Sequence, residues 1–235
     1  MSLRAVAFDC AGTLVRVRWQ PGRFAVDCLR ATGWQADEQV ARERYERLLA
    51  GRWTEYRQVN ATRDHEACRA FWAELTRDWL EAIEAPLESL GDVLALADDR
   101  LYGPGSSEFE VFDDSIVVLA ELKQRGLKLA VISNWDYSLH RVLASLSLSG
   151  FFDVVIASLE EGVEKPDPAL FRLALERLGV SAEEALHVGD DPLDDVEGAR
   201  RVGMKALLLD RELSAKSEGV LTSLKDLLEV AQCIA

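Results

Sequence analysis

The stretch LRAVAFDCAGTL, residues 3–14, decides the fold of this chain. Its apolar run at 3–8 is short and ends at a turn, which predicts a buried strand rather than a helix. Asp9 follows that run directly, and Gly12 and Thr13 form the turn after it. In open α/β sheets, ligands bind outside the carboxyl ends of the strands. We therefore expect Asp9 to lie in a binding or catalytic crevice.

The second half of the chain alternates between apolar runs and helical patterns. Strands are expected at 127–132, 152–157, 185–188 and 205–209, and helices at 113–122, 138–146, 168–178 and 192–202, before an amphipathic tail at 221–234. Asp113 is the expected N-cap of the first of these helices. Repeated strand–helix units imply a parallel sheet with helices on both faces, so the fold class is α/β.

Residues 16–112 have a different pattern, with no convincing strand. Apolar side chains recur there at helical spacing, and one helix face carries Cys68, Phe71, Trp72, Leu75, Trp79, Ala82 and Ile83. Pro21 marks a helix start and Asp64 an N-cap, and we expect four or five helices in this region. Because the strand at 3–8 must join the later strands, residues 16–112 are an all-helical insertion between 1–15 and 113–235.

Composition limits the class of protein and its partners. The 235 residues are 49% hydrophobic and 29% charged, with a net charge of −14. That charge argues against a nucleic-acid partner, because phosphate-backbone binding needs clustered cations. No apolar run approaches the ~20 residues of a membrane span, and no signal peptide is visible. The four scattered cysteines are expected to be reduced thiols, so we predict a cytoplasmic protein with no membrane partner.

Three further polar signals lie where the expected strands end. Ser133 and Asn134 follow one strand, Lys165 precedes the Pro-Asp-Pro that opens a helix, and Gly189, Asp190 and Asp191 follow another strand, with Asp195 five residues beyond Asp190. Together with Asp9, these residues resemble motifs I to IV of the haloacid dehalogenase-like (HAD) superfamily in their order and context. The match extends over almost the whole of 1–15 and 113–235.

The resemblance implies a Rossmann-like catalytic core with a helical cap at 16–112, the layout of subfamily I. It implies a hydrolase whose catalytic residues are Asp9 as nucleophile, Ser133 and Lys165. Mg²⁺ would be held by Asp9, the backbone carbonyl of Ala11, and Asp190. Phosphate would be held by Ser133, Lys165 and loop N–H groups near Ala11 and Asn134. Supporting roles would go to Thr13, Asp191 and Asp195, with Asp195 orienting Lys165.

A finer resemblance lies just after the first motif. The run Val-Arg-Val-Arg at 15–18, followed by Pro21 and Gly22, is similar to the rhythmically-expressed-gene-two-like branch of that subfamily. Arg16, Arg18 and Arg23 are nearest in sequence to the Asp9 loop, and Trp135 follows Ser133 by two residues. We expect these four side chains to contact a small phosphorylated or other anionic substrate.

Ala11 departs from the pattern of the family's phosphatases, which have a second aspartate there. That aspartate protonates the leaving group and then activates water, and such general acid–base catalysis contributes ~10²–10⁴-fold. Three interpretations stay open. The first is a Mg²⁺-dependent phosphatase that is slow or selective for good leaving groups. The second is a metal-independent 2-haloacid dehalogenase, although dehalogenases carry Ser and Asn where this chain has Gly-Asp-Asp. The third is a non-catalytic protein that binds phosphate or a protein partner.

One related activity is excluded by the sequence. Phosphonoacetaldehyde hydrolases also carry alanine in place of the second aspartate, but they need a cap-domain lysine to form a Schiff base. The first lysine of this chain is Lys123, which lies beyond the expected cap.

Overall fold

The computed structural model describes residues 2–35, 37–213, 215 and 217–234. The chain divides into two compact units, one made of residues 1–17 with 110–235 and the other of residues 18–109. We call them the sheet unit and the helical unit. Within the described residues, no helix is long and apolar enough to span a membrane.

The strands are β1 (Ala5–Phe8), β2 (Val15–Val17), β3 (Phe109–Val111), β4 (Lys128–Ser133), β5 (Val154–Ala157), β6 (Ala185–Gly189), β7 (Lys205–Leu209) and β8 (Val220–Leu221). Six of them form a sheet in the order β5-β4-β1-β6-β7-β8, and every neighbouring pair is parallel. β1 is therefore a central strand with β4 on one side and β6 on the other. Ala7 of β1 lies opposite Ala130 of β4 and His187 of β6.

The helical unit contains α1 (Pro21–Ala31), α2 (Glu38–Ala61), α3 (His65–Ala82) and α4 (Leu90–Tyr102), with a 3₁₀ turn at Leu87–Ser89. Pro21 is at the first position of α1, and the Asp64 side chain accepts hydrogen bonds from the N–H groups of Glu66 and Ala67 at the start of α3. The predicted apolar face of α3 is buried at Cys68, Phe71, Leu75 and Trp79. The predicted helices and their starts are confirmed, and the predicted packed face is confirmed in part, because Ala82 is exposed and Trp72 and Ile83 are half-buried.

The sheet unit carries α5 (Ser115–Gln124), α6 (Leu139–Ser145), α7 (Ser158–Glu161), α8 (Pro168–Leu178), α9 (Gly198–Arg201) and α10 (Lys225–Ile234), together with 3₁₀ turns at Ser149–Phe151 and Ala182–Glu184. A π-helical turn, Pro192–Glu197, leads into α9. One core cluster joins α8 and α9 to alternate residues of the sheet, including Ala5, Ala7, Ala130 and Ile132. Strands covered on both faces read as continuous apolar runs, which explains the sequence of β1. The predicted parallel α/β fold with helices on both faces is confirmed.

Two local predictions are wrong. Residues 16–112 are not free of strand, because β2 and β3 pair in a small two-stranded sheet. Strands of three residues are too short to produce a periodic pattern. Asp113 does not cap α5 either. The N-cap position belongs to Asp114, whose carboxylate makes no cap hydrogen bond.

Asp114 instead binds the C-terminal part of the sheet unit. Its carboxylate accepts hydrogen bonds from both terminal nitrogens of Arg211, at 3.1 and 3.0 Å, and from Ser223 and the backbone of Leu224. The Arg211 guanidinium lies over the ring of Phe112, 3.9 Å from its centroid, and donates to the carbonyl of Thr13 at 2.7 Å. The C-terminal segment therefore holds the loop that follows Asp9.

Candidate active site

The sheet order brings the predicted site residues to one edge. Phe8 of β1 lies opposite Val131 of β4 and Val188 of β6. Asp9 therefore lies next to the ends of β4 and β6, where Ser133 and Asp190 are found. The chain adds β4 and β5 on one side of β1 and then β6 to β8 on the other side, so this edge is a topological switch point. Such points are where α/β sheets bind ligands.

Asp9 is nearly enclosed, with 5% of its surface exposed. Its Oδ1 accepts hydrogen bonds from Ser133 Oγ at 2.9 Å and from Lys165 Nζ at 2.6 Å. Its Oδ2 accepts none within the described part of the chain. Burial raises the pKa of the Asp9 carboxyl, and the Lys165 charge opposes that rise. One oxygen of the carboxylate is thus anchored and the other is left for a ligand or for chemistry.

Lys165 bridges two carboxylates inside the protein. Its ammonium lies 2.6 Å from Asp9 Oδ1 and 2.6 Å from Asp195 Oδ1, and the residue is 6% exposed. Burial alone would lower the pKa of Lys165, but the two carboxylates raise it above its usual value. Burial alone would raise the pKa of Asp195, yet His187 and Lys165 hold it well below its usual range. We call Asp9, Lys165 and Asp195 the lysine bridge.

Asn134 fixes the backbone of Lys165. Its side-chain Oδ1 accepts from Lys165 N at 2.7 Å, and its Nδ2 donates to Lys165 O at 3.1 Å. The same Nδ2 lies 3.2 Å from Asp194 Oδ2. The sequence predicted a role for the backbone N–H near Asn134 but missed this side-chain clamp. An amide can bind the N–H and the C=O of one residue in this way because it carries a donor and an acceptor side by side.

The loop after β1 fits closely against Asp190. Gly12 has φ +77°, and a Cβ at this position would lie 2.2 Å from Asp190 Oδ2. Only glycine allows both the positive φ and the close approach. Thr13 is fully buried, and its Oγ1 donates to Asp190 Oδ1 at 3.2 Å. Ala11 pairs with Val15 in an isolated β-bridge, and its methyl side chain has no proton to transfer.

The acidic side chains suit a hard divalent cation. Asp9, Asp190 and Asp195 each have a carboxylate oxygen within 4.8 Å of the others. Asp195 has both oxygens engaged, by Lys165, His187 and the backbone of Asp191, so Asp9 and Asp190 are the available donors. Burial and the negative charges of Asp9 and Asp195 raise the pKa of Asp190 to about 6, although its side chain reaches solvent. Crowded carboxylates of this kind, completed by carbonyl oxygen and water, fit the oxygen coordination that Mg²⁺ prefers.

Asp191 supports the geometry around Asp195. Its Oδ1 accepts from the N–H groups of Leu193 and Asp194, each at 2.7 Å, and its own N–H donates to Asp195 Oδ2 at 3.1 Å. The sequence predicted one continuous helix at 192–202, but the first part is a π-helical turn. Such wide turns are frequent at functional sites. A Cβ on Gly189 would lie 2.1 Å from Asp195 Cγ, so this glycine makes room for the carboxylate.

The four residues expected to contact substrate are placed as follows. Arg16 pairs with Glu110 at 2.9 Å and lies over the ring of Phe112. Trp135 donates from its indole Nε1 to Ser138 Oγ at 3.0 Å and from its backbone to Ser158. Arg18 and Arg23 belong to the helical unit, where both line a polar cavity of about 180 Å³ with Asp27 and Glu108.

Relatives with established names match most of the chain. The family model described as a haloacid dehalogenase-like hydrolase matches residues 3–203. The haloacid dehalogenase-like hydrolase domain-containing protein 3 of Mus musculus is 30% identical, with 97% of this chain and 93% of that protein aligned. The rhythmically expressed gene 2 protein of Drosophila melanogaster is 27% identical over 88% of this chain and 82% of its own. A phosphoserine phosphatase of Thermus thermophilus is 36% identical over 63% of this chain and 66% of its own.

Solved structures have the same fold over the full length. A HAD phosphatase from Thermococcus onnurineus superposes with a TM-score of 0.62 at 25% identity, with 97% of each chain covered. A 2-haloacid dehalogenase from Pseudomonas syringae superposes with a TM-score of 0.69 at 24% identity over 99% of this chain and 100% of its own, which shows the fold alone. From the match over residues 3–203 and the near-complete alignment with these relatives, the chain is a member of the haloacid dehalogenase-like hydrolase family, with rhythmically expressed gene 2 protein among its relatives.

Proposed function

We propose that this hydrolase is a Mg²⁺-dependent phosphatase that transfers the phosphoryl group of a small substrate to Asp9. The observation that carries the proposal is the lysine bridge, in which one buried ammonium lies 2.6 Å from both Asp9 and Asp195 beside the carboxylate of Asp190. Relatives named as phosphatases support the same reaction.

The first step uses the free oxygen of Asp9. Asp9 Oδ2 attacks phosphorus, the bond between phosphorus and the leaving oxygen breaks, and the electron pair goes to that oxygen. Ser133 and Lys165 hold Oδ1 in place. Lys165 has a third ammonium proton for a phosphoryl oxygen, and the single hydroxyl proton of Ser133 would turn from Asp9 to the phosphoryl group when substrate binds. The leaving oxygen takes its proton from water, because Ala11 has none to give. In the second step a water attacks the phosphorus of the aspartyl phosphate, the phosphorus–Asp9 bond breaks, and the proton goes to solvent.

The same carboxylates provide the metal site. Asp9, Asp190 and the Ala11 carbonyl would hold Mg²⁺, and Thr13 and Gly12 keep Asp190 in position for it. When bound, the cation supplies positive charge that offsets the charge of the transferring phosphoryl group. Without it, burial and the neighbouring negative charges of Asp9 and Asp195 together raise the pKa of Asp190.

Ala11 determines which substrates are cleaved well. General acid–base catalysis contributes ~10²–10⁴-fold, or roughly 3–5 kcal/mol of barrier. An alkyl alcohol needs a proton to leave, whereas a phenolate or carboxylate leaves without one. We expect aryl and acyl phosphates to be cleaved and alkyl phosphates poorly. A series of aryl phosphates should give a steep dependence of kcat/KM on leaving-group pKa, and a flat series would contradict the role given to Ala11.

The two units take different roles in this proposal. The sheet unit is the catalytic core, and the helical unit is assigned substrate selection, as in cap domains of this family. The arginine side chains at positions 16, 18 and 23 and the indole of Trp135 are kept as candidates for contact with an anionic substrate. A small phosphorylated molecule is the favoured substrate class, since a relative named as a phosphoserine phosphatase aligns with part of this chain.

The proposal is tested by two assays run in parallel over a range of Mg²⁺ concentrations. p-Nitrophenyl phosphate reports phosphatase activity and 2-chloropropionate reports dehalogenation, with Asp9→Asn as the control variant. Phosphate release that requires both Mg²⁺ and Asp9 is the expected result. Chloride release without metal would establish the dehalogenase instead. Neither activity from a folded protein would favour a non-catalytic protein that binds phosphate or a protein partner.

A further inference from the structure

His187 is a buried polar residue in the middle of β6. It has no exposed surface, and its ring meets the ring of Phe171 edge to face with centroids 5.2 Å apart. Nε2 lies 2.9 Å from Asp195 Oδ1, while Nδ1 is buried and has no hydrogen-bond partner within the described residues. Buried polar atoms are normally paired, so the unpaired Nδ1 is a cost of having histidine at this position. The bond from Nε2 to Asp195 is the contact that could offset that cost.

The direction of this bond follows from its partner. The Asp195 carboxylate is ion-paired with the Lys165 ammonium at 2.6 Å and accepts the Asp191 N–H on its other oxygen, so it acts as an acceptor on both oxygens. His187 Nε2 is therefore the donor. Asp195 Oδ1 accepts from both His187 and Lys165, and Oδ2 accepts from the backbone of Asp191. Three donors thus fix the carboxylate on which Lys165 rests.

We propose that His187 is a positioning residue for Lys165, acting through Asp195. The inference deepens the proposed function and rests on it. Three contacts of 2.9, 2.6 and 2.6 Å connect His187 to Asp195, Lys165 and Asp9 in turn, and all four residues are buried. Without His187, one donor to Asp195 is lost and the carboxylate can rotate away from its present position. The ammonium would then no longer be held at one fixed distance from the nucleophile.

The experiment compares two substitutions of His187. In His187→Gln the amide nitrogen occupies a position close to Nε2 and can still donate to Asp195, whereas His187→Val removes the donor. Loss of an outer hydrogen bond that orients a metal ligand commonly lowers activity by about 10–100-fold, and His187 stands in the same relation to Lys165 through Asp195. We expect that loss in kcat for His187→Val on p-nitrophenyl phosphate, with KM nearly unchanged, and recovery of most of it in His187→Gln.

A matched control comes from a second histidine–carboxylate pair. His140 Nε2 lies 2.9 Å from Glu160 Oε2, and the His140 side chain is partly exposed. His140→Val should keep the wild-type kcat. A further variant keeps a polar side chain at this position: the amide of His187→Asn is shorter than the imidazole and falls short of Asp195. It should behave as His187→Val does.

A second readout does not depend on activity. Lys165 is the buried lysine among those described, so its ammonium protons are protected from exchange with water. NMR on ¹⁵N-lysine-labelled protein should show this signal in the wild type and in His187→Gln. In His187→Val and His187→Asn, exchange should be faster and the signal weakened or lost.

The two readouts separate the inference from the proposed function. If the wild type hydrolyses p-nitrophenyl phosphate and folded His187→Val does so equally fast, the positioning role is refuted while the phosphatase stands. Equal impairment of His187→Gln and His187→Val would also refute it, because the restored donor would have done nothing. If the wild type is inactive but the lysine signal depends on His187, the phosphatase is refuted and the contact is confirmed. An unchanged lysine signal in His187→Val would refute the inference without any assay.

Discussion

Replacing Lys165 with methionine removes the one cation from the lysine bridge and leaves Asp9 and Asp195 facing each other. Methionine matches the length of the lysine stem and has no charge. Lys165 is 6% exposed and its ammonium lies 2.6 Å from an oxygen of each carboxylate. Because the site is buried, water cannot freely solvate the two carboxylates once the ammonium is gone. Hydrolysis should also be abolished, because the group that neutralises Asp9 and the phosphoryl oxygens is gone.

The expected loss of stability follows from burial. Removing one partner from a buried ion pair costs about 3–5 kcal/mol, because the remaining charge is left uncompensated. A change of 1 kcal/mol shifts the melting temperature by ~2–4 °C in proteins of this size. Lys165→Met should therefore melt roughly 6–20 °C below the wild type at neutral pH.

Thermal unfolding followed by circular dichroism measures this loss. Lys123→Met is the matched control, since Lys123 pairs with Asp153 at 2.9 Å at a solvent-exposed position. Exposed pairs of this kind contribute ~0–1 kcal/mol, so this variant should melt close to the wild type.

The pH dependence provides an internal check. In Lys165→Met the folded-state pKa of at least one of the two carboxyls must rise above its unfolded value. The penalty is then fully present at neutral pH and shrinks as the pH falls toward the unfolded aspartate pKa of about 3.9. A loss no greater than that of Lys123→Met, or one that does not change between about pH 7 and pH 5, would refute the reading of the site as a compensated buried bridge.

Three further predictions concern the chemistry of the site. Ala11→Asp should restore a proton donor and raise turnover of alkyl phosphates by up to ~10²–10⁴-fold, and no gain in a steady-state assay would contradict the role of Ala11. Phosphorylated Asp9 should persist in the wild type, because the second step lacks its base; intact-mass spectra during turnover should contain one phosphoryl adduct, and its absence would count against the two-step route. Mg²⁺ affinity measured by calorimetry should fall below about pH 6, because protons compete for an Asp190 carboxyl whose pKa is raised to about 6, and equal affinities on both sides of that pH would exclude Asp190 as a ligand.

The parts of the site that the sequence predicts are those set by strand order. Asp9, Ser133 and Asp190 come together because parallel strands place their carboxyl ends at one edge, and the apolar runs of β1, β4 and β6 identify those ends. The contact between Lys165 and Asp9 needs more, since nothing in spacing says where a long side chain points. The family resemblance supplied that expectation, and the structure places Lys165 Nζ 2.6 Å from Asp9 Oδ1.

The side-chain contacts around the bridge could not be predicted in the same way. Asn134 reaches Lys165 across 31 residues and His187 reaches Asp195 across 8, and neither pair shares a helix or strand, so no helix or strand repeat relates them. A polar residue inside an apolar strand was the available signal for His187, because such a residue must find a partner. The short strands β2, β3 and β8 lack enough residues for any alternation to be read.

The contact between Arg211 and the carbonyl of Thr13 ties the nucleophile's loop to a part of the chain that lies beyond residues 3–203, the range that the family model matches. A version shortened to end at residue 203 would leave Asp114 without the Arg211 guanidinium and free the loop that holds Asp190. A chimaera built from this protein must therefore take β1 and the C-terminal segment that contains Arg211 from the same parent.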